Sequence, residues 1–155
     1  MGPNYEYRVK ITRVVDGDTV DADIDLGFNE FKRDRIRLIG IDTPESRTRN
    51  KKEKALGLKA KARLKELIAE APVIDGKRGK KAVYLKTTKD GKGKFGRILG
   101  TLLIGEQDVC EILINEGHAR PYFGGGKNEL GSWTKMVDGV WYRWTAQGYV
   151  EYETS

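Results

Sequence analysis

The sequence predicts a mainly β, α+β fold: a five-stranded barrel with helices packed against it. Three observations carry that expectation. Strand-like patterning fills most of the first forty positions, one long helical period follows residue 50, and two more strand-like runs precede a short apolar helix.

The elements follow in order. Tyr7 to Val15 is rich in β-formers, Asp16-Gly17 makes a turn, and Thr19 to Asp25 alternates Val20, Ala22 and Ile24 with Asp21, Asp23 and Asp25. This is a hairpin with one apolar face and one acidic, solvated face. After a loop at Leu26 to Asn29, a third strand runs from Arg35 to Ile41 and stops at Asp42-Thr43-Pro44. From about Lys51 to Ala71 the period becomes helical, with Leu56, Ala60, Leu64, Leu67 and Ala71 on one stripe and Lys51, Lys54, Lys61 and Lys65 away from it. Leu58 falls off the stripe, and Pro72 closes the helix.

Lys81 to Thr88 and Phe95 to Ile104 read as a second hairpin around Lys89-Asp90-Gly91-Lys92-Gly93. A helix from about Gln107 to Glu116 ends on Gly117. Three strands, a helix, two strands and a helix are accommodated by a Greek-key barrel with a helix across its open end, the OB architecture. One domain of residues 1–155 is expected, with its core at about 7–122. Residues 123–155 are rich in Gly and Trp, and the pattern assigns them no element.

Composition narrows the function classes. The chain has 155 residues, with 29 Lys and Arg against 23 Asp and Glu, a net charge of +6. Such a surplus favours a polyanionic partner, because Lys and Arg neutralise phosphates and release counterions. No apolar run approaches the roughly 20 residues of a membrane-spanning helix, so no membrane partner is expected. The single Cys110 rules out an intrachain disulfide or a thiolate metal cluster, and its apolar neighbours point to a buried, inert thiol. The beginning of the chain lacks a leader pattern, which leaves two expectations: a cytoplasmic protein, or an exported one whose leader has been removed. A monomer is expected.

His118 is the only histidine, so a two-histidine zinc site is impossible, and no Gly-x-Ser-x-Gly elbow accompanies it. It reads as a structural or surface residue. Chemistry must then rest on carboxylates, arginines and a hard metal. Asp18 follows a tight turn and Asp42 ends the third strand, so strand pairing can bring both to one end of the barrel. Two or three carboxylate oxygens, a carbonyl and waters suit Ca²⁺, which takes 6–8 oxygen ligands. By itself Asp16-Gly17-Asp18-Thr19 is an ordinary turn sequence, and Asp21, Asp23 and Asp25 lack the central Gly and closing Glu of a calcium loop.

Three blocks gain meaning together: Val15-Asp16-Gly17-Asp18-Thr19-Val20, then Ile36-Arg37-Leu38-Ile39-Gly40-Ile41-Asp42-Thr43-Pro44-Glu45, then Phe95-Gly96-Arg97. In this order, around a strand-rich domain, they resemble the staphylococcal nuclease family over roughly Tyr7 to Tyr122. The most specific feature is an Arg five residues before Asp-Thr-Pro-Glu. The resemblance implies a calcium-dependent nuclease that is indifferent to sugar, cuts DNA and RNA, and leaves 3′-phosphate and 5′-hydroxyl ends. Asp18 and Asp42 match the family's calcium carboxylates, and Thr43 matches the residue whose backbone carbonyl joins them. Glu45 matches the glutamate that positions or deprotonates the attacking water. Arg37 and Arg97 match the two arginines that grip the phosphate, and Lys94 and Tyr122 fall near positions for nucleotide contacts.

Departures from the family pattern are the extra Gly and Lys residues between Lys86 and Lys94 and the lack of a third helix near the C-terminus. The competing expectation is an OB-type module that holds single-stranded nucleic acid without cutting it. Joint retention of Asp18, Arg37, Asp42, Glu45 and Arg97 favours the nuclease.

Overall fold

The computed structural model describes residues 4–74, 80–88, 98–122 and 131–152. Strand β1 (Asn4–Asp16) is long enough to serve two neighbours. Its first part, Asn4 to Arg8, pairs antiparallel with β5 (Val83–Thr88), while Val9 to Asp16 pairs with β2 (Thr19–Gly27). Register breaks between Ile11 and Arg13 and between Val14 and Asp16 mark bulges in the second part, and such irregularities add bend and twist to a strand. Strand β3 (Glu30–Leu38) pairs with β2, and its end runs parallel to β6 (Ile98–Ile104), which pairs with β5. The circuit β1-β2-β3-β6-β5 is therefore closed, a five-stranded OB-type barrel.

Alternation decides what fills it. In β2, Val20, Ala22 and Ile24 point into the core and are almost wholly buried; Ile36, Leu38, Leu85 and Leu102 meet them from the other strands. Helix α1 (Lys51–Ala69) lays Ala60, Leu64 and Leu67 onto this core, as its apolar stripe requires. Asn50 caps it by accepting hydrogen bonds from the backbone N–H groups of Lys52 and Glu53. A two-residue strand β7 (Gln107–Asp108) leads into α2 (Val109–Asn115), whose Val109, Cys110 and Leu113 complete the core. Burial pushes the Cys110 thiol up to about 12, so it is inert at neutral pH.

Several expectations are corrected. The third strand begins at Glu30 rather than Arg35, because β2 and β3 are joined by a tight turn whose Phe28 and Asn29 both have positive φ. It also breaks before Ile41. Gly40, at φ +82°, turns the chain out of the barrel, and β4 (Gly40–Asp42) pairs instead with β8 (Arg120–Tyr122). The acidic face of β2 is not merely solvated: Arg35 and Arg33 bridge Asp21 and Asp23, each at 2.8 Å, and Arg8 reaches Asp25 at 3.1 Å. These bonds, with one from the Gly27 amide to Asp25, hold the three carboxyls below their ordinary range. Both helices are shorter at their ends than the patterns suggest, and Leu58 lies exposed on α1. The turn of the second hairpin, Lys89 to Gly93, lies outside the described residues.

The Trp-rich tail forms a separate three-stranded antiparallel sheet, β9 (Thr134–Val137), β10 (Val140–Thr145) and β11 (Gly148–Glu151), in the order β11-β10-β9. Every residue of β10 is half-buried, which is why no two-residue alternation shows in its sequence. The sheet meets the start of α1 through Asn50 Nδ2, which donates to Thr134 Oγ1 at 3.0 Å, and Tyr152, whose hydroxyl donates to the Lys52 carbonyl.

Helix α1 also presses on the segment after β4. A Cβ added at Gly57 would lie 2.4 Å from the carbonyl oxygen of Glu45 and 2.7 Å from that of Pro44, both backbone atoms. In an open helix, Gly57→Ala would gain roughly 1 kcal/mol from better propensity. Here the clash is larger than that gain, since overpacking against immobile groups costs about 1–3 kcal/mol. Gly57→Ala should therefore lower stability in urea unfolding; a rise would show that the helix and this segment are not in contact.

Candidate active site

The β1–β2 turn and the end of β4 bring the two conspicuous aspartates together. Asp18 is buried. Its backbone carbonyl accepts from Leu38 N at 2.8 Å, its Oδ1 from Thr19 Oγ1 at 2.9 Å, and its Oδ2 from Thr43 N at 3.2 Å. One side chain thus ties the turn to the end of β3 and to the residue after Asp42. Gly17 lets these parts approach, because a Cβ there would lie 2.9 Å from Ala60 Cβ and 3.0 Å from Thr43 Cγ2.

Each aspartate has its own arginine. Arg37 Nη2 lies 3.4 Å from Asp18 Oδ2, and the same guanidinium donates to the carbonyls of Leu38 and Ile41, bracing the kink at Gly40. The described hydrogen bonds use two of its five N–H groups. Arg120 stands directly opposite Asp42 in the β4–β8 pairing and donates to Asp42 Oδ2 from Nε at 3.3 Å and Nη2 at 3.2 Å. Both partners are deeply buried, Asp42 at 2% exposure and Arg120 at 3%. Arg120 also donates to the Gly131 carbonyl at 3.0 Å, and its guanidinium lies 4.2 Å from the ring of Trp133 and 5.4 Å from that of Trp144. The two indoles meet edge to face. The C-terminal sheet is thereby built into the surroundings of Asp42.

Glu45 is held differently. Its side chain is exposed, while its backbone N–H donates to Glu53 Oε2 at 3.4 Å and its carbonyl lies against Gly57. The next residue is anchored too: Ser46 donates from its amide and its hydroxyl to Asp16 Oδ1. The segment from Asp42 to Ser46 is thus pinned to the β1–β2 turn at Thr43 and Ser46 and to α1 at Glu45. Asp42, Thr43, Glu45, Glu53, Arg120 and Trp133 line a cleft of about 230 Å³. Asp18 and Arg37 stand outside that lining.

Three carboxylates and one guanidinium in the described lining leave the cleft electronegative, so it favours a cation and opposes a phosphate that arrives alone. Thr43 Oγ1 is a buried hydroxyl without a hydrogen-bond partner among the described residues. Oxygen donors, three of them carboxylates, suit a hard divalent ion. No group of three or more His, Cys, Asp or Glu side chains forms a ready metal cluster among the described residues, so backbone oxygens or water would have to complete the shell.

Of the sequence-derived residues, Asp42, Thr43 and Glu45 line the cleft, while Asp18 and Arg37 are tied to its edge through the Thr43 amide and the Ile41 carbonyl. Tyr122 pairs with Gly40 across β4–β8, two positions from Asp42. Lys94 and Arg97 lie outside the described residues. His118 is half-buried beside Glu116, and burial lowers its affinity for a proton, as expected of a structural histidine. Sequence reasoning missed Arg120, Trp133 and Glu53. Arg120 gives no local signal, because only the β4–β8 pairing sets it against Asp42. Glu53 is visible as the last residue of the capping pattern Asn50-x-x-Glu53, but its bond to Glu45 depends on the path of the preceding segment.

The sequence has relatives. A family model described as "Staphylococcal nuclease homologue" matches residues 35–132. The chain belongs to that family. It is 31% identical over 118 residues to a thermonuclease of Staphylococcus hyicus, an alignment covering 76% of this chain and 61% of that protein. It is 34% identical over 117 residues to a thermonuclease of Staphylococcus intermedius, covering 76% and 60%. With endonuclease YncB of Bacillus subtilis (strain 168) the identity is 33% over 113 residues, covering 72% and 46%. The chain thus spans about half to three-fifths of the length of these relatives.

The buried pair near the family's acidic motif generates a prediction. Removing one member of such a pair leaves an uncompensated buried charge, at a cost of about 3–5 kcal/mol. Arg120→Met should destabilise the fold by that order at neutral pH, and Arg120→Lys by less, since it keeps the charge but loses the fork. Denaturant unfolding measures both. A loss below about 1 kcal/mol for Arg120→Met would mean that Asp42 is not compensated by Arg120.

Proposed function

We propose that this chain is a single-domain, metal-dependent phosphodiesterase that hydrolyses DNA and RNA strands, with calcium as its metal and 3′-phosphate and 5′-hydroxyl ends as its products. The observation that carries this reading is the hydrogen bond that ties Asp18 to Thr43, the residue after Asp42, beside an electronegative cleft lined by Asp42, Thr43 and Glu45. Membership of a nuclease-homologue family and the names of the relatives, thermonuclease and endonuclease, support it.

In this proposal the carboxylates of Asp18 and Asp42 and the carbonyl of Thr43 would hold the calcium. When bound, the ion would supply positive charge at the phosphate as the transition state forms. Arg37, with N–H groups beyond its described hydrogen bonds, and Arg97 would grip the same phosphate; planar guanidinium forks suit that geometry and stay charged. Glu45 would take the proton of the attacking water, a role open to an exposed carboxylate one water away from phosphorus. Because that water, and not a ribose hydroxyl, is the nucleophile, DNA and RNA are both substrates. None of these contacts reads a base edge, so base preference should be weak.

Digestion of single-stranded DNA and RNA, with and without chelator, tests the reading. EDTA should abolish cleavage and Ca²⁺ restore it. In Ca²⁺, Glu45→Gln should lower turnover by about 10² or more while affinity for the strand stays within roughly tenfold. Full activity in excess chelator, or a near-normal rate in Glu45→Gln, would place the chemistry elsewhere.

A further inference from the structure

A second cleft, of about 930 Å³, opens between β1 and the C-terminal half of α1 and shares no lining residue with the candidate active site. Its charge is distinctive. Arg8, Lys10 and Arg13 line it from β1, Lys61 and Lys65 from α1, and Lys80 and Lys81 from the approach to β5. Against these seven cations stands one carboxylate, Asp23, and the surplus of six equals the net charge of +6 of the whole chain. The rest of the molecule is balanced.

Local pairing does not remove the surplus. Asp23 is bridged to Arg33, outside the lining, and Arg8 to Asp25. Lys10, Arg13 and Lys80 feel the field of the β2 aspartates at longer range. None of the described carboxylates comes within salt-bridge distance of Lys61 or Lys65, which stand one helical turn apart on α1. Phe31 adds a ring that is 55% exposed to the lining of the cleft.

We infer that this cleft binds the phosphate backbone of a single nucleic-acid strand outside the catalytic site, with Phe31 as a stacking platform for a base. Cations in a concave groove beside an aromatic ring match a flexible polyanion with flat bases. A membrane surface, being flat, would leave the cations at the bottom of the cleft unmatched. Helix α1 fixes the separation: Glu53 lines the candidate active site, and Lys61 and Lys65 follow eight and twelve residues later, about 12 and 18 Å along the axis. A strand of several nucleotides spans that distance, and a dinucleotide does not. The inference shares with the proposed function the premise that nucleic acid is the ligand, but it does not depend on the chemistry at Glu45.

The test uses the triple variant Lys10→Gln/Lys61→Gln/Lys65→Gln, with Lys54→Gln/Lys59→Gln/Lys135→Gln as a control that loses the same charge elsewhere. Binding of a fluorescein-labelled single-stranded DNA 12-mer is followed by anisotropy in EDTA over a range of salt. The cleft variant should bind about tenfold or more weakly near 0.1 M salt, with a salt slope shallower by about 2, three phosphate contacts at about 0.7 each. The control should change affinity by less than about threefold. In Ca²⁺, hydrolysis of a dinucleotide should be unchanged in the cleft variant while KM for the 12-mer rises. Equal weakening by both triples would show that net charge alone is at work, and unaltered binding in the cleft variant would show that the strand does not lie there; either overturns the inference. Intact binding through the cleft in a protein that cuts neither substrate would instead sink the proposed chemistry alone.

Discussion

Two carboxylates taken out of water at one end of a β-barrel must be met by fixed positive charge and hydrogen-bond donors, and much of this structure follows from that constraint. Desolvating each ion costs several kcal/mol unless partners replace the lost water. Asp18 is met by Thr19, the Thr43 amide and Arg37; Asp42 is met by Arg120. Arg120 is itself buried and needs compensation, which comes from the Gly131 carbonyl and the faces of Trp133 and Trp144. The C-terminal sheet therefore completes the burial of Asp42. Its seat on the start of α1, through Asn50, Lys52 and Tyr152, places it there.

At the same end of the molecule, backbone contacts fix the path of the segment that carries Glu45. Glu45 is exposed, and its main chain is caught between Gly57 on one side and the anchors at Thr43 and Ser46. Small residues on α1 where it meets the segment, and Gly17 in the β1–β2 turn, bring three backbones within contact distance. The main chain of this segment is thus placed by packing as much as by hydrogen bonds.

What could be read from the sequence follows the reach of local patterns. The alternation in β2 and the stripe of Ala60, Leu64 and Leu67 announce themselves because each element has one face in the core. The motifs around Asp18 and from Arg37 to Glu45 are short, so the matching residues could be named before their meeting was seen. The role of Arg120 depends on β4 leaving the barrel at Gly40 to pair with β8, a long-range event with no local pattern. The C-terminal sheet is hidden for a related reason, since its central strand β10 is half-buried along its whole length. The pairing of Asp21 and Asp23 with the arginines directly opposite them on β3 turns an acidic face that looks solvated into an ion-paired one. The basic cleft, likewise, gathers residues from three separated stretches, and the sequence shows only their sum as net charge.

Water attack on phosphorus with departure of the 5′ oxygen is the central chemical claim, and isotopic labelling reaches it directly. A single-stranded DNA oligonucleotide is digested in water enriched in heavy oxygen, and the products are examined by mass spectrometry. The account predicts one heavy oxygen in the terminal 3′-phosphate of each new fragment and none at the new 5′-hydroxyl. Heavy oxygen in a 5′-phosphate would reverse the bond that is cut, and an intact oligonucleotide after prolonged digestion with calcium would contradict the account altogether.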